Sequence, residues 1–297
     1  MRLPANHQET SATTRRSTIR KLLQDYEEIP TVPSLVETVT TLTEDVNSSI
    51  DALEQVIKTD PSCVARLLQM ANTAFYGSGT NRMVTSVRRV ILMFGFNAVK
   101  NLTLNLTTFD CFQTKNTEEI ATVQTLRLHS LAVATLAQRI AKTSPRDIDD
   151  DLAFCAGLLH DIGRVVLLHL FPQEYHRMLT QMAGEPDVDM SKVEFDTFEV
   201  THAVAGQWLG EHWHFPAPIL QVIATHHSTH AANPLVATVM LANALVHKYG
   251  VGFGGTTRSS NISGLLRLLG LPPRHAEVYL RYLDEALPHL LELAPSP

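Results

Sequence analysis

His160 and Asp161 stand side by side in the middle of LAFCAGLLHDIGRVVLLHL, residues 152–170, with Arg164 one turn further on. The segment is apolar almost all the way round, the pattern of a buried helix rather than an amphipathic surface one. A carboxylate in such a helix must be paired, hydrogen-bonded or bound to a cation, because burying it alone is costly. Four further histidines, His129, His202, His226 and His227, fall on or at the ends of expected helices in the same part of the chain. Of the 14 histidines, 11 lie between His129 and His247, a window holding about two-fifths of the residues. Imidazoles with a carboxylate suit zinc, iron, manganese or nickel in mixed nitrogen and oxygen ligation. Adjacent helical residues diverge by about 100°, so His160 and Asp161 can share an ion only if it sits between their directions. The same holds for His226 and His227. Any one of these histidines alone reads as a satisfied core residue; the set, with an HD and an HH pair, points to a metal or acid–base site.

The elements that must position these groups are helices. TIRKLLQDYEE (18–28) reads as a short helix stopped by Pro30 and Pro33. Ser34 with Glu37 forms a capping box, Ser48 or Ser49 caps IDALEQVIKTD, and Asp60-Pro61 opens a third helix. Residues 85–106 keep helical spacing, with a bend expected near Gly95, and residues 117–143 form a long helix carrying His129. The opening segment follows as one buried helix. A helix around 191–213 then holds His202 one turn before Gly206, where glycine allows another backbone close approach. The segments ending in His226-His227 and running from Pro234 to Tyr249 are also helical, GVGFGGTTRSS is a glycine-rich loop, and two closing helices are split by Pro272-Pro273. The fold class is all-α, with no solenoid repeat.

Composition narrows the function classes. At 44% hydrophobic and 18% charged residues, the 297-residue chain can bury a sizeable core. Its net charge of −6 is spread without a basic block, so nucleic acid is not expected as a partner. No run of about 18 uninterrupted apolar residues suggests a membrane span, and the polar N-terminus has no secretory apolar region. Residues 1–17 read as a flexible lead-in, and a cytoplasmic location is expected. Cys63, Cys111 and Cys155 each sit in apolar sequence and read as buried free thiols. His169, His176, His212, His214, His230 and His247 read as ordinary surface or helix-end residues, and Trp208 and Trp213 as core. No nucleophile motif and no glycine-rich phosphate loop is present.

An ordered series of segments resembles HDOD-domain proteins, a branch of the HD metal-phosphohydrolase superfamily. It comprises IPTVPS, IKTDPSCVARLLQMANTAFYG, SVRRVILMFGFNAVKNL, LRLHSLAVATLAQRIA, AFCAGLLHDIGRVVL, EFDTFEVTHAVAGQWLGEHWHFPAPI and ATHH. The resemblance implies an all-helical HDOD domain over 18–250. Within it an N-terminal helical lobe (18–116) packs on an HD-like, histidine-rich lobe (117–250), and 251–297 forms the loop and C-terminal helices. It places His129 at the first superfamily histidine, His160-Asp161 at the HD pair, and His202, His226 and His227 at the extra histidines of the two-metal HD-GYP-like branch. The last metal-ligand aspartate of the superfamily falls at Asn243, a neutral and weaker ligand. Arg164 stands where HD-GYP enzymes carry lysine, and HSTHAANP replaces their GYP segment.

The resemblance, with these departures, leads to a regulatory reading first. It is a non-catalytic signal-transduction domain, of a kind common in bacterial sensory pathways, that binds a signalling protein partner or a nucleotide messenger and retains a metal site. The enzymatic alternative has a divalent Fe, Mn, Ni or Zn ion activate water against a phosphoester. There His129, His160, Asp161, His202, His226, His227 and Asn243 are ligands and Arg164 steadies a phosphate. A third alternative is a metal or haem-like sensor that uses the histidines for ligation alone.

Overall fold

The computed structural model describes residues 8–24, 49–76, 83–96, 99, 117–182, 188–252 and 261–293. Every regular element among them is a helix. Helix α1 (Gln8–Gln24) precedes α2 (Ile50–Ile57), α3 (Pro61–Tyr76) and α4 (Val87–Phe94). The histidine-rich part of the chain forms α5 (Thr117–Thr143), α6 (Asp150–Leu159), α7 (Ile162–Leu170), α8 (Pro172–Met182), α9 (Met190–Phe198), α10 (His202–His212), α11 (Ala217–Thr225) and α12 (Pro234–Tyr249). Helices α13 (Ile262–Leu268) and α14 (His275–Leu293) close the chain on either side of Pro272-Pro273.

Several boundaries follow from local chemistry. Ser49 caps α2 by accepting the Ala52 N–H at 3.2 Å, and Asp60 accepts the Cys63 N–H at 3.0 Å above Pro61. At Gly95 the chain leaves α4 with φ 84°, so the expected bend is a helix end. Cys63 and Cys155 are buried. Cys111, the Ser34–Glu37 capping box and most of the glycine-rich loop lie outside the described residues.

Three expectations change. The chain is already helical from Gln8, within the stretch read as a flexible lead-in. There Arg15 pairs with Glu174 at 2.7 Å, and Arg16 and Arg20 sit over the half-buried Trp208 ring, which fastens α1 to α8 and α10. Residues 152–170 do not form one helix but break between α6 and α7 at His160 and Asp161. Asp161 has φ −102° and ψ 15°, and its carbonyl accepts the Arg164 N–H at 2.9 Å, an i→i+3 closure. The stretch is apolar enough to pass as a membrane span by composition, yet 83% of its apolar window is buried inside the protein. The helix expected over 191–213 is also two, because Glu199 ends α9 in the left-handed region (φ 60°) and Thr201 caps α10.

Helix α6 lies at the centre, packed along α5 and touched by α3, α11 and α12, while α7 packs on α10. One continuous core runs from Ile19 and Leu68 through Leu158 and Leu209 to Tyr279. Arg127 ties α5 to the turn between α2 and α3 by donating from Nε to the Thr59 carbonyl at 2.8 Å and from Nη2 to the Thr59 hydroxyl at 3.1 Å. Nearby, Lys58 pairs with Glu54 at 2.7 Å and Asp151 at 3.3 Å.

The closest helix approach carries the site. A Cβ on Gly163 would lie 1.9 Å from the His202 carbonyl oxygen and 2.7 Å from the Gly206 nitrogen. Only two glycine backbones in contact let α7 and α10 come so near, and this brings His202 to Asp161. Gly163→Ala should therefore lower the urea midpoint by the equivalent of about 1–3 kcal/mol or more. Gly206→Ala should cost less, because its Cβ would first meet the Ile223 side chain at 2.9 Å. An unchanged midpoint in Gly163→Ala would refute this account.

Candidate metal centre

The breaks in the helices place the ligand-type residues at helix ends. His160 follows the last turn of α6, Asp161 precedes α7, His202 opens α10, and His226 and His227 follow α11. His129 faces them from within α5. This resolves the divergence expected for adjacent residues: both members of the HD pair reach the same centre because they sit in a turn.

Each of four imidazoles is held by its Nδ1. His129 contacts the Val251 carbonyl at 3.1 Å, His160 the Gly157 carbonyl at 2.7 Å, His226 the Ile223 carbonyl at 2.9 Å, and His202 a Glu194 carboxylate oxygen at 2.5 Å. Oxygens of these kinds only accept, so each Nδ1 carries the proton and each Nε2 presents a lone pair. This is the outer-shell arrangement that fixes metal-ligating histidines. Those Nε2 atoms surround the Asp161 carboxylate. Oδ1 lies 3.2 Å from His202 Nε2 and 3.3 Å from His226 Nε2. Oδ2 lies 3.5 Å from His160 Nε2 and 3.7 Å from His129 Nε2. His202 Nε2 is a further 3.2 Å from His226 Nε2 and 2.9 Å from His227 Nε2.

Lone pairs aimed at one another and at a carboxylate repel unless a cation lies among them. The Nε2 atoms of His129 and His160 and both Asp161 oxygens have no hydrogen-bond partner although they are buried. Two overlapping groups have the reach for an ion: Asp161 with His202, His226 and His227, and Asp161 with His129 and His160. The donor set fits a divalent transition metal.

Protonation agrees with that fit. Burial pushes His129 down to about 4 and His160 to about 3, and lowers His226 and His227 as well. They are thus neutral near pH 7, the state a metal requires. Burial opposes charge on Asp161, but the Arg164 guanidinium beside it holds its carboxyl well below the usual range. Arg164 is 3% exposed, with Nε 3.3 Å from Asp161 Oδ2 and 3.8 Å from Glu194 Oε1. It is an internal counter-ion to two carboxylates, an arrangement that gives no support to the phosphate contact expected of it. Asn243 is buried on α12 with its Oδ1 unpartnered, and it lines a cavity of about 780 Å³ together with His226 and His227.

Two residues escaped the sequence reading. Glu194, fully buried, accepts from both the backbone N–H and Nδ1 of His202. Its distance of eight residues gave no periodic signal, because the left-handed turn at Glu199 intervenes. His247 does lie in the last turn of α12, but its ring packs against His129 at 4.7 Å. Its position one turn after Asn243 was the available clue. His230 is exposed and lines the same cavity as His226 and His227, and Trp213 is fully buried in the core.

Residues 29–229 match the HDOD domain model, and the chain belongs to that family. A protein of Treponema pallidum (strain Nichols) is 25% identical over 225 residues, a match covering 74% of this chain and 42% of that protein. The chain thus spans about two-fifths of the length of the curated relative it matches. Among solved structures, the MmoQ response regulator from Methylococcus capsulatus str. Bath superimposes with TM-score 0.68 at 24% identity, covering 86% of this chain and 98% of that one. An HDOD domain protein from Geobacter sulfurreducens gives TM-score 0.52 at 22% identity, covering 95% and 97%. At these identities the likeness is one of fold.

The lowered histidines set a pH dependence with a definite sign. A group whose pKa falls on folding stabilises fully above its unfolded value, here about 6.5, and loses that contribution as pH falls through the folded value. Chelator-treated protein should therefore lose on the order of 1.4 kcal/mol per pH unit for each of His129 and His160 below about pH 6.5. Urea unfolding at pH 7.5, 6 and 5 measures this, and a flat profile would contradict neutral burial. Separately, Glu194→Gln should weaken metal retention about 10- to 100-fold by unfixing His202, read by competition with a chromogenic chelator. Unchanged affinity would leave Glu194 a purely structural carboxylate.

Proposed function

We propose that this chain is a non-catalytic signal-transduction domain of the HDOD type. It holds a transition-metal ion as part of its core and acts by binding a signalling protein partner. The observation carrying this reading is the disposition of positive charge. Phosphoryl chemistry needs cationic or donor groups that meet charge developing on the transferred phosphate. Arg164 is committed to Asp161 and Glu194 inside the core. Among the described residues, the cavity beside His226 and His227 is lined by no lysine or arginine. It presents Asp189, Asn243, Asn261 and the hydroxyls of Ser191, Ser228 and Thr229.

Asn243 supports the same reading, since a neutral amide stands where the family resemblance places a carboxylate. A bound ion would neutralise Asp161 and tie the α6–α7 break to α10 and α11. Its role is to stiffen the surface those helices present. The response-regulator description of MmoQ is consistent with a place in signalling. A nucleotide messenger would have to be read by hydroxyl, amide and imidazole groups beside the Asp189 carboxylate, so a protein is the favoured partner.

Loaded with Fe, Mn, Ni or Zn, the protein should hydrolyse bis(p-nitrophenyl) phosphate no faster than its Asp161→Ala variant. Asn243→Asp should bind the same metal about tenfold more tightly, or roughly 1.4 kcal/mol. Cross-linking in the native host should identify a protein partner that rebinds saturably when purified. Turnover by the wild type that disappears in Asp161→Ala would overturn the non-catalytic reading.

A further inference from the structure

Helix α10 has two occupied faces. His202 and Gly206 turn inward, to the Asp161 centre and to Gly163 of α7. Trp208, about 200° further round the helix from Gly206, lies half-buried beneath α1. The cover it receives is thin. Of the α1 side chains described from Arg15 to Leu23, only Ile19 and Leu23 are buried, one turn apart. Arg16 and Arg20, also one turn apart, lie 5.3 and 5.5 Å from the centre of the Trp208 ring. Arg15 is 5.9 Å from the centre of the Phe198 ring at the end of α9 and donates to Glu174 of α8 at 2.7 Å. That pair is 38% and 41% exposed, so solvent and salt screen it. A helix of this length and polarity is marginal by itself in water. Apolar anchors at i and i+4, flanked by arginines on aromatic faces, are how a separate helical ligand sits on a protein surface.

The receiving face also selects its occupant. Glu174 and the rings of Trp208 and Phe198 all attract cations, and aromatic faces suit the flat guanidinium better than an ammonium. The sequence of α1 carries Arg15, Arg16, Arg20 and Lys21 against a single acid, Glu9. We propose that the face formed by α8, the end of α9 and α10 is where this chain takes its signalling partner. The partner presents an arginine-bearing amphipathic helix, and α1 is the chain's own occupant, displaced in exchange. This rests on the reading of the chain as a protein-binding signalling domain and gives that partner a chemistry. It sets the docking face and the metal-type centre on two sides of one helix.

The probe is a fluorescein-labelled peptide of residues 8–24, titrated into the full chain and followed by anisotropy. Wild type should bind it weakly, because its own α1 holds the seat at high effective concentration. The full-length variant Ile19→Asp/Arg20→Glu frees the seat and should bind the peptide about tenfold more tightly. Adding Trp208→Ala should abolish that gain. A peptide with Arg16→Lys and Arg20→Lys should bind the freed variant about fivefold more weakly despite its unchanged charge. Equal binding by wild type and the freed variant, or a gain that survives Trp208→Ala, would overturn the assignment. Should the variants misfold, hydrogen exchange on the wild type still decides: α1 amides should exchange about a hundredfold faster than those of α10, and equal protection would rule out displacement. A wild-type dimer that the peptide dissociates would make a second copy the occupant and overturn the separate partner. A host protein that binds without competition from the peptide would overturn this face as the docking site and leave the signalling reading standing. Absence of any protein partner would remove that reading and this inference with it.

Discussion

The structure depends on the compensation of one buried carboxylate. Asp161 is 2% exposed and ionised, and burial of that charge would be prohibitive without the groups around it. Arg164 answers part of the charge, and imidazoles surround the rest. Those imidazoles turn lone pairs rather than N–H donors inward, because their Nδ1 protons are taken by carbonyls and by Glu194. The protein alone thus leaves the carboxylate under-satisfied. A buried network in that condition is costly to a fold unless something else enters it.

The backbone accommodates this centre by interrupting two helices. A continuous α6–α7 helix would point His160 and Asp161 in directions about 100° apart. The turn between them lets both face inward and sends α7 across α10. The second interruption, at Glu199, places His202 at the start of α10, with Glu194 folded back beneath it. The Gly163–Gly206 contact then fixes how close the two helices come. Core packing, the helix breaks and the centre are therefore one arrangement, in which a single methyl group at Gly163 would be felt at His202.

The family match and the site chemistry meet at Arg164 and Asn243. Arg164 is a buried counter-ion to two carboxylates, and Asn243 is a neutral amide. Arg164 turns inward to carboxylates, and Asn243 offers a neutral oxygen beside the cavity. A metal-type site can persist under those conditions as a cross-link between helices, since holding an ion asks only for donors and not for a poised nucleophile.

Much of this was legible in the chain itself. Helical periodicity, the Ser49 and Asp60 caps, and the proline and glycine stops were enough for an all-α fold, because those signals act over a few residues. The density of histidines around an apolar HD pair identified His129, His160, Asp161, His202, His226 and His227 as one set, because burial makes such groups expensive without a purpose. What the sequence left open were the facts set by contacts far apart in the chain. Periodicity ran through the breaks at Asp161 and Glu199, since apolar residues continue at helical spacing on either side of each. It did not pair Glu194 with His202 or His247 with His129. It also left the side chain of Arg164 free to reach outward, whereas packing turned it onto Asp161. Residue types determined which chemistry could assemble; only the three-dimensional packing of α7 on α10 decided which donors face which oxygen.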